Sequence, residues 1–235
     1  MPTVSLKFSE SEKRRVEELL LALRTPVKAQ IHSNSWLMNE TFAAEFQSRL
    51  LAQHVFLKSI LAEASFEAAF VASASVAGMA TVPAISGQRF WDVAISGKKI
   101  SLKSTKAKSL KLKELHISKL TEAAWIQDCR TARMRMEKVH ELFRLYVSTV
   151  SSIIQLRYFQ STNSYELVEI PACLLSQIMD LSINEFASEN STIGIPVGKS
   201  PPDFMLKLDR SDAKITLAKI SKECCIVHGV WTLPV

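Results

Sequence analysis

Trp91-Asp92-Val93-Ala94-Ile95-Ser96-Gly97-Lys98-Lys99-Ile100-Ser101-Leu102-Lys103 is the stretch from which the rest of the chain is best read. Apolar runs on either side of Ser96-Gly97-Lys98-Lys99 predict two short strands, Phe90–Ile95 and Ile100–Lys103, joined by a tight turn. Such a hairpin brings Asp92 and Lys103 to one sheet edge on neighbouring strands. Ser101 and Lys103, two apart on one strand, share a face.

Helices precede the hairpin. Ser9-Glu10-Ser11-Glu12 has the S-x-x-E pattern of a capping box, and Val16, Leu19, Leu20 and Leu23 follow at helical spacing, predicting a helix over 9–24. A second helical stretch is expected over 39–76, with Phe42, Phe46, Leu50, Phe66 and Phe70 on its apolar face and a break near His54. After the hairpin, Leu115–Ile117 reads as a third strand. Ser118 reads as the cap of a long helix from Lys119 to Val150, on which Arg130, Arg133, Arg135 and Arg144 either track phosphate or are solvated. Further strands are expected at Ile153–Phe159, Tyr165–Ile170, Phe204–Leu208, Ile215–Ile220 and Cys225–Leu233, with a short helix after Pro171 and a loop over Glu189–Pro202. The whole predicts one mixed α/β domain over 1–235, divided into an N-terminal helical extension (1–38), a core carrying the hairpin (39–170) and C-terminal strands (171–235).

The chain has 29 Lys and Arg against 23 Asp and Glu, a net charge of +6, which biases it mildly toward polyanions. The bias is local: Lys98, Lys99, Lys103, Lys106, Lys108, Lys111, Lys113 and Lys119 crowd one region whose only nearby acid in sequence is Glu114. Phosphates would offset that self-repulsion. The start of the chain lacks the apolar core of a signal peptide. The longest apolar stretch, Ala68–Ala80, is too short to span a bilayer, so no membrane partner and a cytoplasmic location are expected. Cys129, Cys173, Cys224 and Cys225 have no metal-ligand spacing and read as small buried residues. No glycine-rich cofactor loop follows a strand, which disfavours a methyltransferase.

An aspartate beside a lysine on a hairpin suits metal-dependent phosphodiester hydrolysis. A carboxylate is a hard ligand for Mg²⁺, the metal makes bound water more acidic, and the ammonium group stabilises developing negative charge. A second acid is required, and the position two before Lys103 holds Ser101. Glu67, among apolar neighbours on its helix, is the best candidate, and Glu63 the weaker one. Asp209 and Arg210 form a second polar cluster able to contact bases, the arginine at guanine and the aspartate at cytosine. His228 reads as a hydrogen-bonded core histidine, Trp125 and Trp231 as core or interface anchors, and His54 and His140 as ordinary residues.

Asp92–Lys103 resembles the catalytic hairpin of the PD-(D/E)xK nuclease superfamily. Longer stretches are similar to SmaI-like type II restriction endonucleases: Phe66-Glu67-Ala68-Ala69-Phe70, His116-Ile117-Ser118-Lys119, Leu156-Arg157-Tyr158-Phe159, Tyr165 through Pro171, and Cys225 through Trp231. The resemblance runs from about residue 36 to the C-terminus, although Ser188–Lys219 is shorter than in the family. It implies a restriction-endonuclease-like core, a central mixed β-sheet flanked by helices. Asp92 and Glu67 become Mg²⁺ ligands, Lys103 the catalytic lysine, and Lys98, Lys99, Lys106, Lys108, Lys119, Asp209 and Arg210 DNA-binding residues. It further implies a bacterial homodimer that cuts both strands of a short GC-rich palindrome such as CCCGGG, with blunt ends bearing 5′-phosphate and 3′-hydroxyl groups. Its functional partner would be a DNA methyltransferase with which it forms no stable complex. The alternatives are a repair or junction-resolving nuclease on the same fold and a DNA-binding protein without catalysis.

Overall fold

The structure, a computed structural model, describes residues 8–85 and 87–234. In chain order its elements are α1 (Glu10–Leu23), β1 (Lys28–Ile31), α2 (Glu40–Leu51), α3 (Glu63–Val76), β2 (Thr81–Pro83), β3 (Val93–Ile95), β4 (Lys98–Thr105) and β5 (Glu114–Glu122). Then come α4 (Ala132–Thr149), β6 (Ser152–Phe159), β7 (Ser164–Pro171), β8 (Thr192–Val197), β9 (Phe204–Asp209), β10 (Lys214–Ser221) and β11 (Ile226–Thr232).

A mixed sheet of seven strands runs in the order β1-β11-β7-β6-β4-β3-β2, and a second, antiparallel sheet runs β5-β10-β9-β8. Among the described residues only β4 and β6 pair in parallel, with β5 and α4 in the connection between them. Alternation along the buried strand β6 sorts the core into two halves. Ile154 and Leu156 join Leu102, Trp231 and the aromatic side chains of α2 and α3, including Phe42, Phe46, Phe66 and Phe70. Ile153 faces the opposite way, packing with Val139, Phe143 and Tyr146 of α4 and with the inner residues of the second sheet. The large sheet is therefore flanked by helices on both faces, the expected mixed α/β architecture.

Local chemistry explains most element boundaries. Ser9 caps α1 with the full reciprocal box to Glu12, and Asn39 caps α2. The helical stretch beyond residue 39 breaks as expected near His54, where the helix widens over Ala52–Phe56 before α3 begins at Glu63. Ser96 and Gly97 both take positive φ (49° and 84°), the backbone a tight hairpin turn requires.

Several expectations need correction. No long helix starts at Lys119, because Glu114–Glu122 is a nine-residue strand and the helix begins only after Thr131, whose hydroxyl accepts from the Met134 amide. Pairing with β10, tied by the Thr216 hydroxyl to the Ser118 carbonyl, overrides the helical pattern around Ser118. Glu189–Pro202 is not all loop: Ile193, Ile195 and Val197 alternate inward on β8, an edge strand that tolerates Gly194 and Pro196. Arg135 is neither solvated nor free for phosphate; it is fully buried and donates to the carbonyl of Phe186 and the carboxylate of Glu189.

Of the cysteines only Cys129 is buried; Cys173 is exposed, Cys224 and Cys225 are partly so, and all four are free. Trp231 and His228 lie in the core as read, and Trp125 is partly buried against it. Among the described residues no helix is long and apolar enough to cross a membrane.

Two buried polar networks tie the elements together. Arg157 of β6, 1% exposed, pairs with Glu166 of β7 at 2.7 Å. It also donates to the carbonyls of Lys111 and Glu114 at the start of β5, and Lys222 completes the cluster on Glu166. On the neighbouring strands, Glu169 accepts from the Trp36 indole (2.7 Å) and contacts His228 Nε2 (3.0 Å). The Ser35 hydroxyl lies 2.7 Å from His228 Nδ1 and accepts from the amides of Leu37 and Met38. Its one proton therefore faces Nδ1, which leaves the Nε2 proton for Glu169. Burial works to raise the Glu169 carboxyl, but these donors outweigh it and hold it below the usual carboxylate range.

Candidate active site

The hairpin positions Asp92 one residue before β3, where its amide still donates to the Ile100 carbonyl (2.8 Å). β3 is only three residues long, so the ladder beside β4 stops there and the Asp92 carboxylate takes the place of the next rung. Oδ2 accepts from the Leu102 amide at 2.6 Å and from the Ser101 hydroxyl at 3.4 Å. Lys103 Nζ stands 3.9 Å from the same oxygen, both side chains about one-third exposed. All of these donors converge on Oδ2, and among the described residues none reaches Oδ1.

Glu67 arrives from the other side of the sheet. Phe66 and Phe70 anchor α3 in the core, and Glu67 lies between them in sequence on that helix, near enough for the charges of Asp92 and Lys103 to act on it. Glu67 reaches solvent and is not enclosed by apolar neighbours as its sequence context suggested. The protein behind it nevertheless removes part of its hydration. That desolvation, followed by the charge of Asp92, pushes its carboxyl above the usual range, while Lys103 pulls it back. Glu63 instead starts α3, exposed, 3.7 Å from Lys106.

Two carboxylates, one feeling the other's charge and one with an oxygen left without a donor, suit a hard divalent cation. Among the described residues no three His, Cys, Asp or Glu side chains gather at one point. A cation here would complete its shell with water and phosphate oxygens, as Mg²⁺ commonly does.

The lysines divide by position. Lys98 and Lys99 stand at the start of β4, roughly 14–17 Å from Lys103 at ~3.4 Å per residue, with their ammonium groups over Trp36 (4.0 Å) and Trp91 (5.6 Å). Lys119 lines a cleft of about 340 Å³ together with Lys103, His116, Ser118 and Gln155. Lys106 and Lys108 follow directly on the Lys103 end of β4 and are exposed. Glu63, distant in sequence, pairs with Lys106, and Glu122, three residues further on, pairs with Lys119, so the region is less unbalanced than it first reads.

Asp209 and Arg210 lie at the β9–β10 turn. Asp209 Oδ1 accepts from the amides of Ser211 and Asp212, and its Oδ2 lies 3.8 Å from Lys214. Arg210 is held by Ser191, Gln127 and Glu189. Neither residue is gathered with the Asp92 site.

Two residues at the site escaped the sequence reading. Tyr146 of α4 is fully buried beneath Ser101 and Asp92, and burial raises its hydroxyl above the usual phenol range. Gln155 of β6 is 2% exposed and is the parallel register partner of Lys103. A lone amide in the apolar run Ile153-Ile154-Gln155-Leu156 was the available signal.

A relative named type II restriction enzyme SmaI, from Serratia marcescens, is 28% identical over 208 residues, covering 83% of this chain and 81% of the relative. No solved structure matches the chain. The family model described as SmaI, type II site-specific deoxyribonuclease, matches residues 7–233, nearly the whole length that carries both sheets and the Asp92–Lys103 hairpin. The chain belongs to this family and is a site-specific deoxyribonuclease.

Proposed function

We propose that the protein is a Mg²⁺-dependent restriction endonuclease that cuts both strands of CCCGGG, leaving blunt ends with 5′-phosphate and 3′-hydroxyl groups. The observation that carries this reading is Lys103 Nζ 3.9 Å from Asp92 Oδ2, with both charges acting on the carboxyl of Glu67. Mg²⁺ held by Asp92 and Glu67 would polarise a phosphoryl oxygen and make bound water more acidic. Lys103 supplies positive charge to the transition state, and the Leu102 amide fixes the Asp92 carboxylate so that its free oxygen faces outward. Attack in line with the P–O3′ bond leaves the phosphate on the 5′ side.

The recognition sequence is carried by the resemblance to SmaI-like enzymes. A two-fold DNA site is most simply read by a two-fold protein, so a homodimer is proposed. Exposed Leu20 and Leu21 of α1, at 47% and 68%, are apolar surface of the kind a self-complementary interface covers. Lys106, Lys108 and Lys119, next to the Lys103 end of β4, are proposed as phosphate contacts. Lys98, Lys99, Asp209 and Arg210 would serve outlying parts of the duplex. One endonuclease domain in a bacterial cytoplasm, protected by a methyltransferase that modifies the same sequence, completes the proposal.

Incubation with phage DNA and Mg²⁺, followed by sequencing of fragment ends, tests it. Discrete fragments ending in CCC and beginning with GGG are expected, with no cutting in EDTA. Heterogeneous ends, or cutting that survives the chelator, would count against it.

A further inference from the structure

Gln155 has a feature that the network around it does not resolve. Its amide Nε2 donates to the His116 carbonyl of β5 at 2.9 Å, which bridges the two sheets. That bond also settles the amide's orientation, since the flipped group would set two acceptor oxygens against each other. Oε1 therefore points away from His116. It is buried, and among the described residues it has no hydrogen-bond partner. A buried acceptor left in that state costs about 1–3 kcal/mol, so such groups call for an explanation.

The surroundings supply one. Gln155 is the register partner of Lys103 across the parallel β4–β6 pair, so the two side chains leave the same face of neighbouring strands. Both line the cleft of about 340 Å³ that also includes Ser118 and Lys119. A side-chain carbonyl is purely an acceptor. It repels the oxygens of a phosphate but accepts readily from water.

We propose that Gln155 is a positioning residue whose Oε1 accepts a hydrogen bond from an O–H of the attacking water, holding that water beside Lys103 with a lone pair free for phosphorus. This deepens the reading of Asp92, Glu67 and Lys103 as the hydrolytic site and rests on it. An amide is too weak a base to take the proton, so Gln155 only orients. The water oxygen forms the new bond to phosphorus, and its surplus proton passes to solvent. The P–O3′ bond breaks with its electron pair on O3′, which takes a proton from solvent.

The test measures single-turnover cleavage, duplex affinity without Mg²⁺ and thermal stability, on a duplex carrying the sequence at which the wild-type protein cuts phage DNA. Gln155→Met removes both polar groups, whereas Gln155→Glu keeps an acceptor and loses the bond to His116. The Met variant should cleave about 10²-fold more slowly with affinity within about threefold, the cost of a misplaced reactant. The Glu variant should stay within about tenfold of wild type. Cleavage by the Met variant within about threefold of wild type would overturn the proposal. So would equal losses in both variants accompanied by weakened DNA affinity, the mark of a bridge between sheets and nothing more. Should the Met variant not fold, the Glu variant decides: retained cleavage supports the water-holding role, and a loss beyond about 10²-fold at unchanged affinity refutes it. Lys103→Ala, run in parallel, separates the two levels. Activity retained there removes the site reading itself, whereas a dead Lys103→Ala beside an active Gln155→Met removes only the role of Gln155.

Discussion

Lys103→Ala is expected to slow single-turnover cleavage by about 10³-fold while duplex affinity changes by no more than a few-fold. The magnitude is that of removing a group aimed at charge that appears only in the transition state. The binding energy should survive because the proposed phosphate contacts are spread over several lysines, of which Lys103 would be one. Lys103 Nζ is about one-third exposed and sits 3.9 Å from Asp92, too far for a tight ion pair, so its loss costs little folding energy. Lys103→Arg should not restore the rate, since a planar fork places its charge differently from a compact ammonium group. Quench-flow cleavage beside equilibrium binding without Mg²⁺ makes the comparison. A variant that cleaves normally, or that loses affinity in step with rate, would give Lys103 an ordinary phosphate-binding role.

The second large effect lies away from the chemistry. Arg157→Leu should lower unfolding free energy by about 3–5 kcal/mol, the typical result of removing one partner from a buried ion pair. Arg157 and Glu166 are 1% and 6% exposed, and the guanidinium also satisfies the carbonyls of Lys111 and Glu114. Without it those carbonyls and the carboxylate lose donors together, leaving Lys222 on Glu166. The exposed pair Lys138–Glu141 is a useful contrast, because solvent screening should leave the unfolding midpoint essentially unchanged when it is disrupted. Denaturant unfolding measures both. Arg157→Leu combined with Glu166→Leu should be more stable than Arg157→Leu alone, since the stranded charge is then gone. Equal stability of the single variant and wild type would show that the cluster contributes nothing net.

These networks give a physical reason for the stretches that carried the family resemblance. Leu156-Arg157-Tyr158-Phe159 and Tyr165 through Pro171 supply Arg157, Glu166 and Glu169, while Cys225 through Trp231 supplies His228 and the buried Trp231. Buried polar groups require specific partners at fixed places, so they leave a sharper trace in sequence than apolar packing does.

The hairpin was legible because local chemistry decides it. Ser96-Gly97 meets the turn's demand for positive φ, and the flanking apolar runs have strand length. The closeness of Asp92 and Lys103 followed from that geometry, whereas their catalytic roles rested on the family resemblance. The start of α4 was misread because Ser118 is a plausible helix cap, and only the distant partner β10 makes it part of a strand. β8 was hidden by its composition: serine, glycine and proline suggested a loop, although Ile193, Ile195 and Val197 already alternated. Glu67 was singled out on the expectation of apolar enclosure, yet what sets its carboxyl apart is partial desolvation together with the nearby Asp92 charge. Gln155 went unremarked because every residue of β6 is buried, and a strand buried on both faces shows no alternation to reveal what a polar residue faces.

The pairing of Asp92 with Glu67 around a cation is most directly tested by calorimetric titration of Mg²⁺ into the protein bound to a duplex whose scissile linkages are non-hydrolysable, so that no cutting removes the substrate. A saturable site is expected, with Asp92→Asn or Glu67→Gln each weakening binding at least about tenfold. Unchanged Mg²⁺ affinity in both variants would contradict the two-carboxylate site.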